Sequence, residues 1–401
     1  MSSSRRLRAL TRALEDHLVK APQGYLLGDT FLIDLEQPLG AGGQGAVFRG
    51  IHINLELPVA VKVFGADEID SEKMVARFVR EARILAQLNS RDVVRVWDLD
   101  RVEAAGCYYF VTEFVRGAPL DEAAKSVGRP LSEEEGLTAC IAAAQGLANM
   151  HDAGILHRDF KPGNALWLAG TSRIKVCDLG LAKESGEDTM GLTVMGETFG
   201  SPAYMAPEQA RGARDVCPGA DVYSLGAILH YLLIGEAPAS ITTLQELLQG
   251  GKDFIKEMHE KLAERKVGEL TTGLLVSMLS RAPEERPADA RAAIKDMEEV
   301  LGKLGRPPVD LSRTFAAAKI KEPLAVQLTS EPGTLWQPPI SMHGSAGRFL
   351  PDPGDTVRLQ PGGETQKSGD DEPGFETQFW EEAFPVLKEE RKKKQSGGET
   401  G

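Results

Sequence analysis

Glycines recur in one segment at a spacing that suits phosphate binding. Gly40, Gly42 and Gly45 form a G-x-G-x-x-G pattern within Leu39-Gly40-Ala41-Gly42-Gly43-Gln44-Gly45-Ala46-Val47. Glycine lets a backbone approach a phosphate closely and adopt dihedral angles that other residues avoid. A dinucleotide-binding fold uses the same glycines between a strand and a helix. Because the residues that follow here, as far as Arg49, are typical of another strand, the pattern favours a β-hairpin over phosphates.

A lysine ends the apolar strand pattern Val59-Ala60-Val61-Lys62. Such a lysine ordinarily faces solvent, with its stem along apolar surface. Beside the glycine segment, it predicts an ammonium group over nucleotide phosphates. Glu81 lies in the next helical stretch, in the position of a carboxylate that pairs with this lysine. The alternative for Glu81 is a solvated glutamate that contacts only its own helix.

The most specific motif is an H-R-D-x-K-P-x-N pattern, His157-Arg158-Asp159-Phe160-Lys161-Pro162-Gly163-Asn164. Asp159 can accept or orient the proton of an attacking hydroxyl, and Lys161 can neutralise charge on a transferred phosphoryl group. Asn164 offers a neutral oxygen to Mg²⁺, and Asp178 in Cys177-Asp178-Leu179-Gly180 offers a carboxylate. Since positioning and charge neutralisation are what phosphoryl transfer needs, these residues predict that reaction.

With these motifs in this order, residues 31–304 resemble the eukaryotic-like protein kinase family, in its soluble, bacterial-type Ser/Thr branch. Further matches are Ala206-Pro207-Glu208 and Arg286, which the resemblance pairs with Glu208. Asp221 matches the aspartate that braces the catalytic loop. The resemblance implies an α+β, bilobal protein kinase fold with a small β-rich N-lobe and a larger α-helical C-lobe.

The resemblance also implies a nucleotide site that takes ATP with Mg²⁺ or Mn²⁺. The catalytic residues would be Asp159, Lys161, Lys62 and Glu81, and the metal ligands Asn164 and Asp178. Adenine would bind at a hinge spanning Glu113 to Val115, preceded by Thr112. The residues expected around ATP are Leu39, Gly40, Ala41, Gly42, Gly43, Gln44, Gly45, Ala46, Val47, Ala60, Lys62, Glu113 and Val115. Leu166 is either beneath the base or an ordinary core residue.

The expected substrates are serine and threonine hydroxyls of proteins, which would make the chain a non-specific Ser/Thr protein kinase. In the family, Lys161 goes with this specificity, and the Ala206-Pro207-Glu208 segment implies a peptide-binding surface. A small-molecule kinase is disfavoured on the same grounds. Leu179 and Phe160 depart from the usual family residues by apolar exchanges, and Ser201 stands where threonine is common.

Regulation is expected at the loop between Asp178 and Glu208. Arg158 is a cation next to Asp159, and in the family this arrangement goes with a phosphorylated activation loop. A phosphate carries about −1.5 to −2 charge and orders such a loop by pairing with arginine. Thr193 and Thr198 are the candidate autophosphorylation sites. The alternative is that they are unmodified loop hydroxyls.

Periodicity predicts the elements that position these residues. The N-lobe, about 31–114, has β-branched runs and one helical stretch, Ser71–Leu88. Helical periodicity dominates the C-lobe, about 118–304. Ser132 and Glu135 fit a capping box at the start of its first helix. The helical stretches there are Ser132–His151, Ala220–Ile234, Leu270–Ser280 and Ala288–Leu304.

The two ends of the chain differ from this domain. Residues 1–30 form an extension with leucines at helical spacing among arginines, which predicts a docking helix or, alternatively, a mitochondrial presequence. Glycine and proline make up about a quarter of residues 305–401, which predicts a disordered tail. Aromatic residues between Phe375 and Phe384 could form a docking motif there. Thr356 and Thr377 could recruit a forkhead-associated module when phosphorylated.

Composition excludes several classes of function. The formal net charge of −13 argues against nucleic acid as a partner, and no apolar run reaches the roughly 18 residues that a membrane span needs. The four cysteines form no C-x-x-C pair, which is typical of reduced thiols in the cytoplasm. The principal alternative to a kinase is a signalling scaffold that acts mainly through tail docking.

Overall fold

The computed structural model describes residues 3–42, 45–65, 72–178, 202–211, 216–238 and 252–324. The chain divides into a unit that ends at Ala325 and a second unit, Val326–Gly401, which lies outside the described residues. The strands are β1 (Val19–Ala21), β2 (Gly24–Leu27), β3 (Phe31–Asp34), β4 (Gly40–Gly42), β5 (Gly45–His52), β6 (Leu57–Phe64), β7 (Val96–Val102), β8 (Cys107–Glu113), β9 (Gly117–Pro119), β10 (Ala165–Leu168) and β11 (Ile174–Val176). The helices are α1 (Ser3–His17), α2 (Glu72–Gln87), α3 (Leu120–Ser126), α4 (Glu133–Asp152), α5 (Pro207–Ala210), α6 (Gly219–Ile234), α7 (Lys252–Glu264), α8 (Glu269–Met278), α9 (Ala290–Lys303) and α10 (Leu311–Thr314).

The N-lobe is built on an antiparallel sheet. Its strands follow the order β1-β2-β3-β5-β6-β8-β7, with β4 paired to β5 as a hairpin. Alternate residues of β5 and β6 are buried, as expected for strands with one face on a core. Helix α1 covers this core with Leu14, which is fully buried, and lies inside the predicted N-terminal extension.

The C-lobe packs around α6, whose residues are almost all buried. A helix that is apolar on every side must lie inside the domain, and α4, α8 and α9 contact it. Helix α4 begins with the predicted capping box, since Ser132 accepts from the Glu135 amide and Glu135 accepts from the Ser132 amide. Helices α2, α4, α6, α8 and α9 agree with the predicted stretches to within two residues. A small sheet, β11-β10-β9, lies below the hinge.

The sequence-based boundary at residue 305 differs from the structure. The first part of the predicted tail, 306–324, packs on the domain, with Leu311 and Phe315 fully buried. Composition predicted disorder here because the segment is mostly polar and rich in proline. Two apolar side chains are nevertheless enough to hold it against the domain. Residues 325–401, including the aromatic cluster and Thr356, lie outside the described residues.

A buried ion pair joins two distant parts of the C-lobe. Arg286 donates two hydrogen bonds, of 2.6 and 2.9 Å, to the carboxylate of Glu208, and a third, of 2.9 Å, to the carbonyl of Gly219. The Arg286 side chain is 0% exposed. This is the pair that the sequence motif predicted, and it fixes α5 against the start of α6.

The variant Arg286→Ala is expected to lower the free energy of unfolding by about 3–5 kcal/mol, because it leaves the Glu208 carboxylate buried without its cation. The control is Arg291→Ala, which removes an arginine from an exposed pair with Asp152 and should change stability little. Urea unfolding followed by tryptophan fluorescence measures both. Equal destabilisation by the two variants would contradict a special role for the buried pair.

Candidate active site

The glycine segment forms a tight hairpin. Strand β4 pairs with β5 so that Gly40 faces Val47 and Gly42 faces Gly45, and the Leu39 amide donates to the Val47 carbonyl at 2.7 Å. Gly45 has a φ of +107°, a backbone conformation that favours glycine. The expected hairpin is therefore present. Gly43 and Gln44, at its tip, lie outside the described residues.

Beneath this hairpin is a cavity of about 230 Å³. Its lining joins both lobes and includes seven of the residues expected around ATP: Leu39, Gly40, Val47, Ala60, Lys62, Glu113 and Val115. The expected metal ligand Asp178 lines it too. Thr112 and Leu166 line it as well. Ala46 instead belongs to the hydrophobic core of the N-lobe, because neighbouring residues of a strand point to opposite faces.

Several residues of the cavity wall were missed by sequence reasoning. Phe110 lines the cavity and lies two residues before Thr112 on β8, so the alternation of strand faces could have identified it. Lys321 also lines the cavity, although it lies in the predicted tail, and no local pattern marks it. The other missed residues are Phe64, Leu85, Val93, Val94, Val96, Gly117, Ala118, Pro119, Met150, Gly163, Val176 and Cys177.

Hydrogen bonds to neighbouring segments fix Glu113 of the predicted hinge. The Glu113 amide donates to the Arg95 carbonyl at 2.9 Å, and the Glu113 side chain accepts from the Arg95 amide and contacts Lys175. Within the described residues, neither the N–H nor the C=O of Val115 has a hydrogen-bond partner. An unpaired amide beside an apolar cavity can bind a heterocyclic base.

Lys62 forms an ion pair across the cavity. Its Nζ lies 3.0 Å from Oδ1 of Asp178, and the lysine side chain is 15% exposed. Asp178 has a φ of +55°, a left-handed conformation that costs free energy in a non-glycine residue. The predicted partner Glu81 lies on α2, and its side chain is outside the described residues.

The residues of the H-R-D-x-K-P-x-N motif converge next to that pair. Lys161 donates to the Asp159 carboxylate at 3.2 Å. The amide nitrogen of Asn164 donates to the carbonyl of Asp159 at 2.9 Å and to that of Asp178 at 3.3 Å. With its nitrogen so used, Asn164 keeps its side-chain oxygen available. The motif and the Asp178 segment are therefore joined by direct contacts.

The oxygens present suit Mg²⁺. The Asn164 amide oxygen and the Asp178 carboxylate are hard ligands, and Mg²⁺ is commonly held by one or two such protein ligands together with substrate phosphates. Among the described residues, no cluster of three or more His, Cys, Asp or Glu side chains could hold a metal by itself. The ligand set thus fits a metal that arrives with a nucleotide.

A buried carboxylate on α6 organises the motif. Oδ2 of Asp221 accepts from the His157 amide at 2.8 Å and from Nε2 of His151 at 2.9 Å. Oδ1 accepts from the Arg158 amide at 2.9 Å, and Arg158 has a φ of +61°. These bonds satisfy a carboxylate that is 1% exposed and hold the backbone just before Asp159 in its strained turn. This is the brace that the sequence predicted.

His157 connects the motif to the segment that carries Asp178. Its Nε2 donates to the Cys177 carbonyl at 2.9 Å, and its Nδ1 accepts from the Asp159 amide at 3.3 Å. The acceptor role of Nδ1 needs the neutral ring with its proton on Nε2, and burial lowers the pKa of His157 accordingly. Burial by itself raises the pKa of Asp221, but the hydrogen bonds that it accepts from His151 and from the His157 amide outweigh burial and lower that pKa.

The predicted regulatory residues lie beyond what the structure describes. Thr193, Thr198 and Ser201 fall in the undescribed range 179–201. The described segment that follows is tied to the motif, because Gln209 donates to the Arg158 carbonyl at 2.9 Å. Of the described helices, none combines the length and the apolar content that a bilayer crossing requires.

Comparison with known proteins agrees with this geometry. The family model described as "Protein kinase domain" matches residues 33–298. The chain is 31% identical to the Ser/Thr-protein kinase Pkn3 of Myxococcus xanthus over 66% of this chain and 49% of that protein. It is 37% identical to the Ser/Thr-protein kinase PknB of Mycobacterium leprae over 53% of this chain and 33% of that protein. The chain thus spans about half of the first relative and a third of the second.

A solved structure shares the fold. The kinase domain of PknI from Mycobacterium tuberculosis superposes with a TM-score of 0.55 and 24% identity, covering 70% of this chain and all of that domain. This confirms the expected bilobal α+β architecture.

The unfolding free energy is expected to fall as the pH drops through about 6.5, the ordinary pKa of histidine. Because burial lowers the pKa of His157 in the folded state, the unfolded chain binds more protons in that range. His230, whose pKa burial lowers to about 4, acts in the same direction. His157→Gln should therefore lose part of the wild-type slope, which is at most about 1.4 kcal/mol per pH unit for each histidine. Urea unfolding from pH 7.5 to 5 measures it, and an unchanged slope in the variant would contradict the neutral, buried ring.

Proposed function

The chain belongs to the protein kinase family, and from that premise we propose that it is an active Ser/Thr protein kinase. It transfers the γ-phosphoryl group of Mg-ATP to hydroxyls of proteins. The observation that carries the proposal is one unbroken path of contacts. It runs from Lys62 to Asp178 at 3.0 Å, to Asn164 at 3.3 Å, to Asp159 at 2.9 Å and to Lys161 at 3.2 Å. Both lysines and both aspartates proposed for phosphoryl transfer lie on that path.

The roles follow from chemistry and position. Asp159 orients the substrate hydroxyl and accepts its proton, and Lys161 neutralises charge as the phosphoryl group moves. Lys62 binds the nucleotide phosphates, and Glu81 orients Lys62. Asn164 and Asp178 hold magnesium, which neutralises phosphate charge when it is bound with ATP. The glycine hairpin and the hinge, with Ala60 and Val47 between them, hold the nucleotide in line with Asp159.

The ion pair of Lys62 supports this assignment of phosphate binding. Asp178 pairs with the lysine at 3.0 Å, and the Lys62 side chain is 15% exposed. The Lys62 ammonium is therefore placed to hold an anionic oxygen at this point of the cavity. Lys62 would hold phosphate oxygens of ATP there, and Asp178 would hold the metal, which would supply further neutralisation of phosphate charge.

Serine and threonine hydroxyls are the proposed acceptors, and the similarity to two Ser/Thr-protein kinases supports that class. We further propose that Thr193 or Thr198 is autophosphorylated and pairs with Arg158. Gln209 donates to the Arg158 carbonyl. Ordering of the loop that precedes Gln209 would therefore also stabilise the backbone next to Asp159.

The proposed setting is the cytoplasm, where ATP is available and thiols stay reduced. Cys107, Cys140, Cys177 and Cys217 are thiols that form no disulfide among the described residues, which supports this setting. Apart from substrates, we propose partners that bind the tail. A forkhead-associated module would read a phosphothreonine such as Thr356 or Thr377, or a docking partner would bind the aromatic cluster near Trp380.

Asp159→Asn and Lys62→Ala are expected to lower the turnover of phosphoryl transfer by at least about 100-fold, because each removes a group needed in the transition state. Transfer of radiolabelled phosphate from Mg-ATP to casein and to the chain itself measures it. Thermal melting checks that both variants fold. The exposed Lys256, changed to alanine, is the control and should keep wild-type turnover. Near-normal transfer by folded Asp159→Asn would refute the assignment.

Mass spectrometry of the same samples locates the phosphates. Thr193 or Thr198 should be modified in the wild type and unmodified in Asp159→Asn. An active wild-type preparation with neither residue modified would remove the proposed loop activation while leaving the kinase assignment intact.

A further inference from the structure

Residues 306–324, here called the strap, run from the last long helix of the C-lobe to the hinge. The strap begins where α9 ends and contains the short helix α10. Near its start, Arg306 lies 3.0 Å from Glu134 on α4. Near its end, the Lys321 amide donates to the Gly117 carbonyl at 2.8 Å. The strap therefore spans one side of the C-lobe and reaches the hinge from outside.

Two buried side chains seat the middle of the strap. Leu311 and Phe315 are both 0% exposed. The Phe315 ring meets Trp167 of β10 edge to face, with ring centroids 5.5 Å apart. Apolar burial of this extent anchors the segment, because undocking would expose both side chains to water. The strap is thus part of the folded domain.

Polar contacts fix the register of the strap. The Val309 amide donates to the hydroxyl of Thr138 at 3.1 Å, and the Leu311 amide donates to that of Ser172 at 3.0 Å. Ser172 in turn donates to Asp310 at 3.3 Å. These bonds fix the backbone of the strap at Val309 and Leu311. The position of the residues that follow, as far as Lys321, is thereby restricted.

The end of the strap is clamped to the residues after the hinge. Arg116 donates two hydrogen bonds, each of 2.9 Å, to the Glu322 carboxylate. Gly117 and Lys321 form an isolated antiparallel bridge. Two consecutive strap residues, Lys321 and Glu322, therefore contact two consecutive residues just after the hinge.

Lys321 lines the nucleotide cavity together with Lys62 and Asp178. Its Nζ lies 3.4 Å from the Glu122 carboxylate, and the lysine side chain is 33% exposed. The wall of this cavity of about 230 Å³ thus includes a residue of the strap. A cation on the rim of a cavity for a polyanion favours binding of that polyanion. The strap therefore adds binding surface to the cavity.

We propose that the strap is part of the nucleotide site, with Lys321 contacting bound Mg-ATP and with the docked strap and the bound nucleotide stabilising each other. This inference rests on the proposed function, which supplies the nucleotide. Binding linkage is reciprocal, so the strap must strengthen nucleotide affinity by the same factor by which nucleotide strengthens strap docking. The opposite arrangement, an autoinhibitory strap, would make nucleotide and strap compete.

The first test measures affinity. The probe is Mg-ADP carrying a fluorescent label on its ribose, titrated into the full chain. Lys321→Gln should weaken binding by about 3- to 10-fold, because it removes a partly exposed cation while keeping the length of the side chain. Lys319→Gln, an exposed lysine two residues earlier, is the matched control and should bind like the wild type. Unlabelled Mg-ADP competing for the site checks that the label is not responsible.

The second test reads the strap directly. Hydrogen exchange of the Lys321 amide should slow when Mg-ADP is bound, since its bond to Gly117 opens only when the strap undocks. Faster exchange with Mg-ADP, or tighter nucleotide binding by Lys321→Gln, would overturn the proposal in favour of an autoinhibitory strap. Equal affinities of wild type and Lys321→Gln, with exchange unaffected, would also overturn it. Wild-type protein that binds no Mg-ADP would overturn the kinase assignment itself, and the inference with it.

Discussion

The arrangement of the site depends on one buried carboxylate. Asp221 lies on the central helix α6 and is 1% exposed, yet its oxygens accept hydrogen bonds from two consecutive amides and from His151. A carboxylate without those bonds would be too costly to bury. The same bonds hold Arg158 in a left-handed turn. Asp159 follows immediately, so its position is set by the core of the C-lobe.

A chain of hydrogen bonds and one ion pair connects the turn held by Asp221 to both lobes. His157 ties the turn to Cys177, and Asn164 ties the carbonyl of Asp159 to that of Asp178. Asp178 then meets Lys62 of the N-lobe sheet. The segments that flank the matched family region, 33–298, reach this site as well. Helix α1 packs on β4 and β5, and the strap pairs with Gly117.

Local patterns in the sequence predicted the long helices, the glycine hairpin, the Arg286–Glu208 pair and the Asp221 brace. Each depends on periodicity within one element or on motifs whose partners the family resemblance names. The strap could not be predicted in this way, because Leu311 and Phe315 are isolated apolar residues whose burial depends on Trp167, far away in the chain. The pairing of Lys62 with Asp178 likewise depends on how the two lobes pack against each other.

We infer that Asp221 positions Asp159 and its neighbours without forming the nucleotide cavity, whose wall does not include it. A comparison of turnover and Mg-ADP affinity between wild type and Asp221→Asn separates these two roles. Asparagine keeps the size of the side chain but has one acceptor oxygen for three donors. Turnover should fall by about 10- to 100-fold, as expected when a reacting group is displaced, while the Kd for Mg-ADP stays within about twofold of wild type. Unchanged turnover in the folded variant, or an equal loss of affinity and turnover, would contradict the account.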